Sequence, residues 1–178
     1  MSGQVFWITG LSGSGKTTLA SEIHSSLCTL GIKAILLDGD ELRKVFFSSE
    51  HDAKNYNKNQ RLSLGLKYSN LCELLASQGF TVIIATISMF KEVYVLNRKQ
   101  LPNYFEIYLK VPYGELRRRD SKQIYSQFEQ GKISNVMGLD LPIQEPEDAD
   151  LVVEFQNGLK PKDVANKLIA ELNLSKQH

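Results

Sequence analysis

Residues Gly10 to Thr17 read Gly-Leu-Ser-Gly-Ser-Gly-Lys-Thr, a G-x-x-x-x-G-K-T spacing whose residue types suit the holding of a polyphosphate. Glycines let backbone N–H groups curl around an anion without Cβ clashes, and a helix starting there aims its positive end at the same point. Lys16 is placed to reach β- and γ-phosphates, and the Thr17 hydroxyl to take a Mg²⁺ position. Gly10, Ser12, Gly13, Ser14, Gly15, Lys16, Thr17 and Thr18 together form the candidate phosphate cradle. An ordinary glycine-rich turn would share this composition. The flanks decide between the two: a strand-like Val5-Phe6-Trp7-Ile8 precedes the loop, and a helix-like spacing of Leu19, Ile23, Leu27 and Leu30 follows it. The implied ligand is a nucleoside triphosphate.

A second cluster follows the apolar Leu36-Leu37 at once, as Asp38-Gly39-Asp40-Glu41-Leu42-Arg43. A carboxylate at a strand edge can hold Mg²⁺ through water or accept the proton of an attacking hydroxyl, so Asp38 and Asp40 are the metal and base candidates, in either order. Arg43, three residues after Asp40 on a nascent helix, suits an anionic group of a second substrate. An Asp helix cap beside a solvated Arg would look the same locally, and the nearby phosphate loop favours the functional reading. Further on, Ala85-Thr86-Ile87-Ser88 ends another strand, where Ser88 can donate to a phosphate or ribose or serve as a turn residue. Arg117-Arg118-Arg119-Asp120-Ser121-Lys122 gathers cations after a strand at 104–111. Such a run is commonly a solvated helix face, but a basic lid that excludes water during transfer is the alternative it offers.

The elements that must position these groups are legible from periodicity. β-branched and aromatic runs recur at 4–8, 34–37, 80–87, 104–109 and 150–155. Helical spacing covers 16–30, then Leu64, Tyr68, Leu71 and Leu75, then Val164, Leu168 and Leu172. Continuously apolar strands separated by helices predict an α/β three-layer sandwich, a parallel sheet covered on both faces. Gly31 and Gly79 stand where helix C-caps are expected and Pro161 opens the last helix. Ligands of such sheets lie beyond the carboxyl ends of the strands, where all three clusters fall.

A chain of 178 residues suits one domain, and its net charge of +1 gives no reason to expect nucleic acid or a membrane surface as partner. Neither a bilayer-spanning run nor a signal-peptide pattern is present, so a cytoplasmic location is expected. Cys28 and Cys72 are too few for a disulfide framework or zinc site and are expected to pack in the core. A guanine-reading Asn-Lys-x-Asp motif is absent: Asn97-Arg98-Lys99-Gln100 lacks the Asp. No apolar run ends in the Asp-Glu of a remodelling ATPase. A small-molecule kinase remains, with a non-catalytic nucleotide-binding module leaving the Asp pair and Arg43 unexplained.

Gly-Leu-Ser-Gly-Ser-Gly-Lys-Thr-Thr, Leu-Leu-Asp-Gly-Asp-x-x-Arg, Ala85-x-Ile87-Ser88, Arg119-Asp120-x-Lys122-x-x-Tyr125 and Gly138-Leu139-Asp140, in this order, resemble the adenylylsulfate (APS) kinase family from about Val5 to Glu154. The resemblance implies a phosphate-loop kinase fold and transfer of the γ-phosphoryl of ATP to the 3′-hydroxyl of a nucleotide ribose. It further implies a movable lid around 120–138 and a homodimer. Carried over by position, Gly13, Gly15, Lys16 and Thr17 would hold ATP and Mg²⁺, and Arg43 and Arg61 would grip the acceptor's phosphates. Arg119 would lie near the ATP adenine, and Lys122 would be a lid lysine. Asp40, Tyr56, Ile87, Ser88 and Val136 complete the candidate acceptor site.

The departures cluster on that acceptor side. Where the family reads Phe-Ser-x-x-Asp-Arg-x-x-Asn-x-Arg-Arg, this chain has Tyr56-Asn57-x-x-Gln60-Arg61-x-x-Leu64-x-Leu66-Lys67. Family Asn-Phe-Thr-Gly-Ile-Asp is here Asn135-Val136-Met137-Gly138-Leu139-Asp140. Two family phenylalanines sandwich the adenine of APS; Tyr56 can still stack and Val136 cannot, a loss of about 1–3 kcal/mol per stacked base. Segment 44–55 is longer than its family counterpart. APS is the acceptor the resemblance implies first. A smaller pyrimidine nucleotide is the alternative, as in the APS-kinase-like enzymes of capsular polysaccharide modification that phosphorylate cytidine diphosphoramidate. A non-nucleotide metabolite is the more distant one.

Overall fold

The computed structural model describes residues 3–47, 57–120 and 122–172. Five strands, β1 (Val5–Thr9), β2 (Ala34–Asp38), β3 (Thr81–Ala85), β4 (Tyr104–Lys110) and β5 (Leu151–Glu154), pair in the order β2-β3-β1-β4-β5. Every pairing is parallel. The three-layer α/β sandwich expected from the alternation of apolar strands and helices is the architecture found.

Strand geometry sends successive side chains to opposite faces, and β1 shows the result. Val5 and Trp7 enter one core with Tyr68, Cys72, Ile84 and Val93. Phe6 and Ile8 enter the other with Ile23, Leu27, Ile83 and Leu168. Helices α1 (Lys16–Thr29) and α7 (Pro161–Glu171) cover the second face. Helices α3 (Lys58–Ser77) and α4 (Lys91–Gln100) cover the first. Each large apolar side chain so buried contributes about 1.5–3 kcal/mol, and together these residues fix the sheet to its helices. Gly31 and Gly79 follow α1 and α3 with φ of 77° and 90°, the left-handed turns their positions predicted. No described helix is long and apolar enough to cross a membrane.

Three details differ from the sequence reading. The strands expected at 80–87 and 150–155 are shorter, because the chain leaves the sheet after Ala85 and Glu154. Helix α4 was not expected; its pattern is masked by a buried Asn97 and an exposed Val95. Cys72 is buried, its thiol pushed up to about 12 by that burial, but Cys28 is exposed and rests 3.6 Å from His24 Nε2. A helix face turned outward, rather than the core, receives that thiol.

Asn97 and Arg98, the residues that failed as a guanine motif, have a structural task. Asn97 Nδ2 donates to the Tyr104 hydroxyl (3.2 Å), and Arg98 binds the Asp150 carboxylate (2.7 Å) and the Asp148 carbonyl (2.6 Å). Arg98 also stacks on the Tyr104 ring and lies 3.6 Å from Glu106, which is buried between them. Burial pushes the Glu106 carboxyl up, and the Tyr104 hydroxyl and Arg98 pull it back. The network ties α4 to the β4–β5 edge.

Candidate functional site

The phosphate loop leaves β1 at Gly10 (φ 146°), where a Cβ would lie 2.7 Å from the Leu109 carbonyl and 2.8 Å from Ser14 Oγ. Only glycine lets the loop cross β4 this closely. Gly15, at φ 99°, caps α1, whose first residues are Lys16 and Thr17. Lys16 Nζ donates to the Leu11 carbonyl at 2.7 Å, folding its stem back over the loop. Burial lowers its pKa to about 7, with repulsion from Lys122 and Arg43 adding to the shift and the Asp38 charge opposing it.

Asp38 closes β2 and caps α2 (Gly39–Phe46). One carboxylate oxygen accepts the Asp40 N–H at 2.7 Å and the other accepts the Thr17 hydroxyl at 2.7 Å. The helix cap is thus present, and the same carboxylate turns its second oxygen to the phosphate loop. Asp40 points to the other side, where it pairs with Arg43 and with Lys122. The two carboxylates, ambiguous in sequence, thus separate: Asp38 faces the phosphate loop, and Asp40 faces the basic groups.

A cleft of about 880 Å³ joins these groups, lined among others by Lys16, Asp38, Asp40, Arg43, Arg119 and Lys122. Ser12, Gly13, Gly15, Thr17, Thr18, Arg61, Ile87 and Val136 also border it. Gly10 does not, its work being the close crossing over β4. Ser14 instead lines a second cavity of about 240 Å³, which Arg119 and Phe155 also line. Ser88 lies just behind the main cleft, in a small recess with Arg43 and Arg61. Tyr56 lies outside the described residues.

Of the three consecutive arginines, one turns inward. Arg117 pairs with Glu129 and Arg118 with Glu115 on the outer surface. Arg119, at the end of α5 (Tyr113–Arg119), donates to Glu115 (2.7 Å) and to the Gly13 carbonyl (3.1 Å), and stacks 5.1 Å from the Phe155 ring centroid. Hydrogen bonds from Arg118 and Arg119 hold the Glu115 carboxyl down to about 2.

The segment after α5 crosses the cleft and is pinned at several points. Asp120 accepts the N–H groups of Tyr125 (3.0 Å) and Ser126 (2.9 Å), capping α6 (Ile124–Glu129). The Tyr125 hydroxyl donates to the Ser12 carbonyl at 2.8 Å. Arg61 donates to the Asn135 carbonyl at 2.6 Å, and Asp140 accepts the N–H groups of Asn135 (2.7 Å) and Val136 (2.6 Å). Gly138, at φ 85°, brings the turn so close to the phosphate loop that a Cβ would meet Leu11 at 2.8 Å. Sequence reasoning named no role for Asp120, Asp140 or Phe155. Asp140 stood in a recognised Gly-Leu-Asp signature, whereas Phe155 is placed by a strand end distant in sequence from everything it touches.

Comparison with known proteins agrees with this geometry. The family described as Adenylylsulphate kinase matches residues 2–154. A cytidine diphosphoramidate kinase of Campylobacter jejuni is 42% identical over 160 residues, 89% of this chain and 91% of that protein. An adenylyl-sulfate kinase of Clostridium acetobutylicum is 35% identical, over 92% of this chain and 80% of that one. The Mycobacterium tuberculosis APS kinase solved in complex with AMPPNP and APS superposes with a TM-score of 0.85 at 30% identity, covering 97% of this chain and 98% of that one. A phosphate loop, an aspartate pair and a basic crossing segment, matched across nearly the whole chain, place this protein in the adenylylsulphate kinase family, as a nucleotide kinase that transfers a phosphoryl group to a hydroxyl.

Proposed function

We propose that the protein transfers the γ-phosphoryl of ATP to the ribose 3′-hydroxyl of cytidine diphosphoramidate or a close pyrimidine relative. The carrying observation is a greater identity to the diphosphoramidate kinase (42%) than to the adenylyl-sulfate kinase (35%), both over most of the chain. The wall of the cleft adds support. Val136 and Met137 give the cleft aliphatic surface with no ring to stack on a purine, and Leu64 and Met137 border the recess beside it.

In this reading the phosphate loop wraps the ATP triphosphate, with Lys16 over the β- and γ-phosphates. Arg119 and Phe155 border the cavity suited to the adenine. Among the described residues no group of three or more His, Cys, Asp or Glu converges, while the Thr17 hydroxyl and Asp38 carboxylate meet at 2.7 Å. That donor set fits a hard cation, which Thr17 and Asp38 would hold from the protein side. When bound, Mg²⁺ supplies charge neutralisation to the β- and γ-phosphate oxygens. Asp40 accepts the ribose hydroxyl proton as the new P–O bond forms and the β–γ bridge breaks to leave ADP. Arg43 and Arg61 hold the acceptor's diphosphate end, and Lys122 joins Arg43 in orienting Asp40. The segment 120–138 acts as the lid. Little covalent help is needed, so charge neutralisation outweighs the base.

The test is the product. Incubation with ATP and cytidine diphosphoramidate should give a new phosphomonoester resonance in ³¹P NMR, coupled to the ribose H3′. An Asp40→Asn variant should slow turnover by roughly 10²–10⁴-fold, as loss of a general base does. ADP release without any nucleotide phosphomonoester would refute the reading. The family resemblance also supports a homodimer, to be read from analytical ultracentrifugation.

A further inference from the structure

Three consecutive residues of the phosphate loop are each met from outside it. Leu11 lies against the Gly138 turn, where a Cβ would approach within 2.8 Å. The Ser12 carbonyl accepts the Tyr125 hydroxyl at 2.8 Å, and the Gly13 carbonyl accepts Arg119 at 3.1 Å. Among the described residues no other group donates to the Ser12 carbonyl. Ser12 and Gly13 border the main cleft, whereas Tyr125 is 2% exposed and stands outside its lining.

In a trans peptide the carbonyl of one residue and the N–H of the next point to opposite sides. Fixing the Ser12 carbonyl on Tyr125 therefore turns the Gly13 N–H the other way, toward the cleft. No described residue accepts from that N–H, which leaves it for a ligand. Gly13 borders the main cleft but not the cavity suited to the adenine, so the phosphates within its reach are the outer ones.

The loop's own composition makes an outside anchor necessary. Gly13 stands at φ 78°, and a Cβ there would meet nothing closer than 3.7 Å. A glycine adopts either sign of φ at little cost, so the Ser12–Gly13 peptide can turn over unless something holds it. The loop's internal bond, Ser14 N–H to the Leu11 carbonyl at 3.2 Å, leaves the Ser12 carbonyl out. Tyr125 is itself well held: its ring packs edge-on against Tyr113 (5.5 Å, 81°), and its N–H is bound by Asp120. Burial pushes its phenol up to about 12, so the hydroxyl stays a donor at neutral pH.

We infer that Tyr125 is a positioning residue for the phosphoryl donor, its hydroxyl holding the Ser12–Gly13 peptide with the Gly13 N–H aimed at the outer phosphates of ATP. The inference rests on ATP as the donor, and it adds a residue that acts on the triphosphate without touching it. A nucleotide that lacks the β- and γ-phosphates does not use that N–H and does not sense the hydroxyl.

Calorimetric binding of ATP and of AMP, without acceptor, to wild type and Tyr125→Phe tests this. Phenylalanine keeps the ring against Tyr113 and removes only the hydroxyl. The Kd for ATP should rise about three- to tenfold, as loss of one hydrogen bond does, while the Kd for AMP stays unchanged. Equal weakening of both nucleotides, or an unchanged affinity for ATP, would overturn the role of Tyr125 and leave ATP standing as the donor. Absence of ATP binding by the wild type would remove the donor reading itself, and this inference with it.

Discussion

Burial lowers the pKa of Lys16 to about 7, and repulsion from Lys122 and Arg43 adds to the shift while Asp38 opposes it. Above that pH the folded protein has released a proton that the unfolded chain would keep until about 10.4, so this group's linkage makes stability rise with pH between the two values. A bound triphosphate reverses the shift by restoring the charged form. ATP binding near pH 8 should therefore take up about one proton, read from calorimetry in buffers of different ionisation enthalpy, and Lys16→Met should abolish the uptake. Lys16→Ala should eliminate transfer and leave the far-ultraviolet circular dichroism unchanged; turnover near wild type would remove the loop from the mechanism. Arg43, held against Asp40 and bordering the acceptor recess, should behave differently. Arg43→Ala should raise the acceptor's KM roughly tenfold or more, as loss of a charge-assisted contact does, and the KM for ATP much less. Equal effects would make it structural. The identities of these residues were legible because a phosphate cradle demands particular residue types at fixed spacing. The division of labour between Asp38 and Asp40 was not, since it depends on which way each carboxylate turns at the start of α2.

Among the elements, α6 is the one least secured by its own contacts, being six residues long with only Tyr125 buried. Its cap is Asp120. Desolvation, the largest influence, pushes that carboxyl up, but the hydrogen bonds it accepts from Ser126, Tyr125 and Ile124 together outweigh it and hold the pKa low. The cap is therefore in place above the unfolded aspartate's pKa of about 3.9 and is lost as pH falls through the folded value. Asp120→Ala should speed amide exchange at Tyr125 and Ser126 about tenfold, matching loss of a helix cap, without changing exchange in α1. Unchanged exchange would mean that the Tyr125–Ser12 contact alone holds the crossing segment. The elements themselves were unevenly readable. β1, α1 and α3 carry long apolar periods and capping signals. α4 escaped because it spends the buried position at Asn97 on the Tyr104 network and leaves Val95 outside.

Over the whole molecule, the sheet order puts β1 between β3 and β4, so the phosphate loop emerges from the centre and both cavities open beside it. This centre depends on α1 and α7 packing together beneath it. Leu168 on α7 is 1% exposed in that packing, and Leu168→Ala should cost about 2–5 kcal/mol, lowering Tm by roughly 5–15 °C for a chain of this size. A shift below a few degrees would show that α7 is not part of the cooperative core. Under the proposed function, the departures from the family pattern at Leu64, Val136 and Met137 fall on the acceptor side. Steady-state kinetics with cytidine diphosphoramidate and APS side by side therefore bear most directly on the central claim. A kcat/KM at least about tenfold higher for cytidine diphosphoramidate is predicted, the discrimination that changed stacking and hydrogen-bonding contacts provide. Turnover of APS with none of cytidine diphosphoramidate would contradict it.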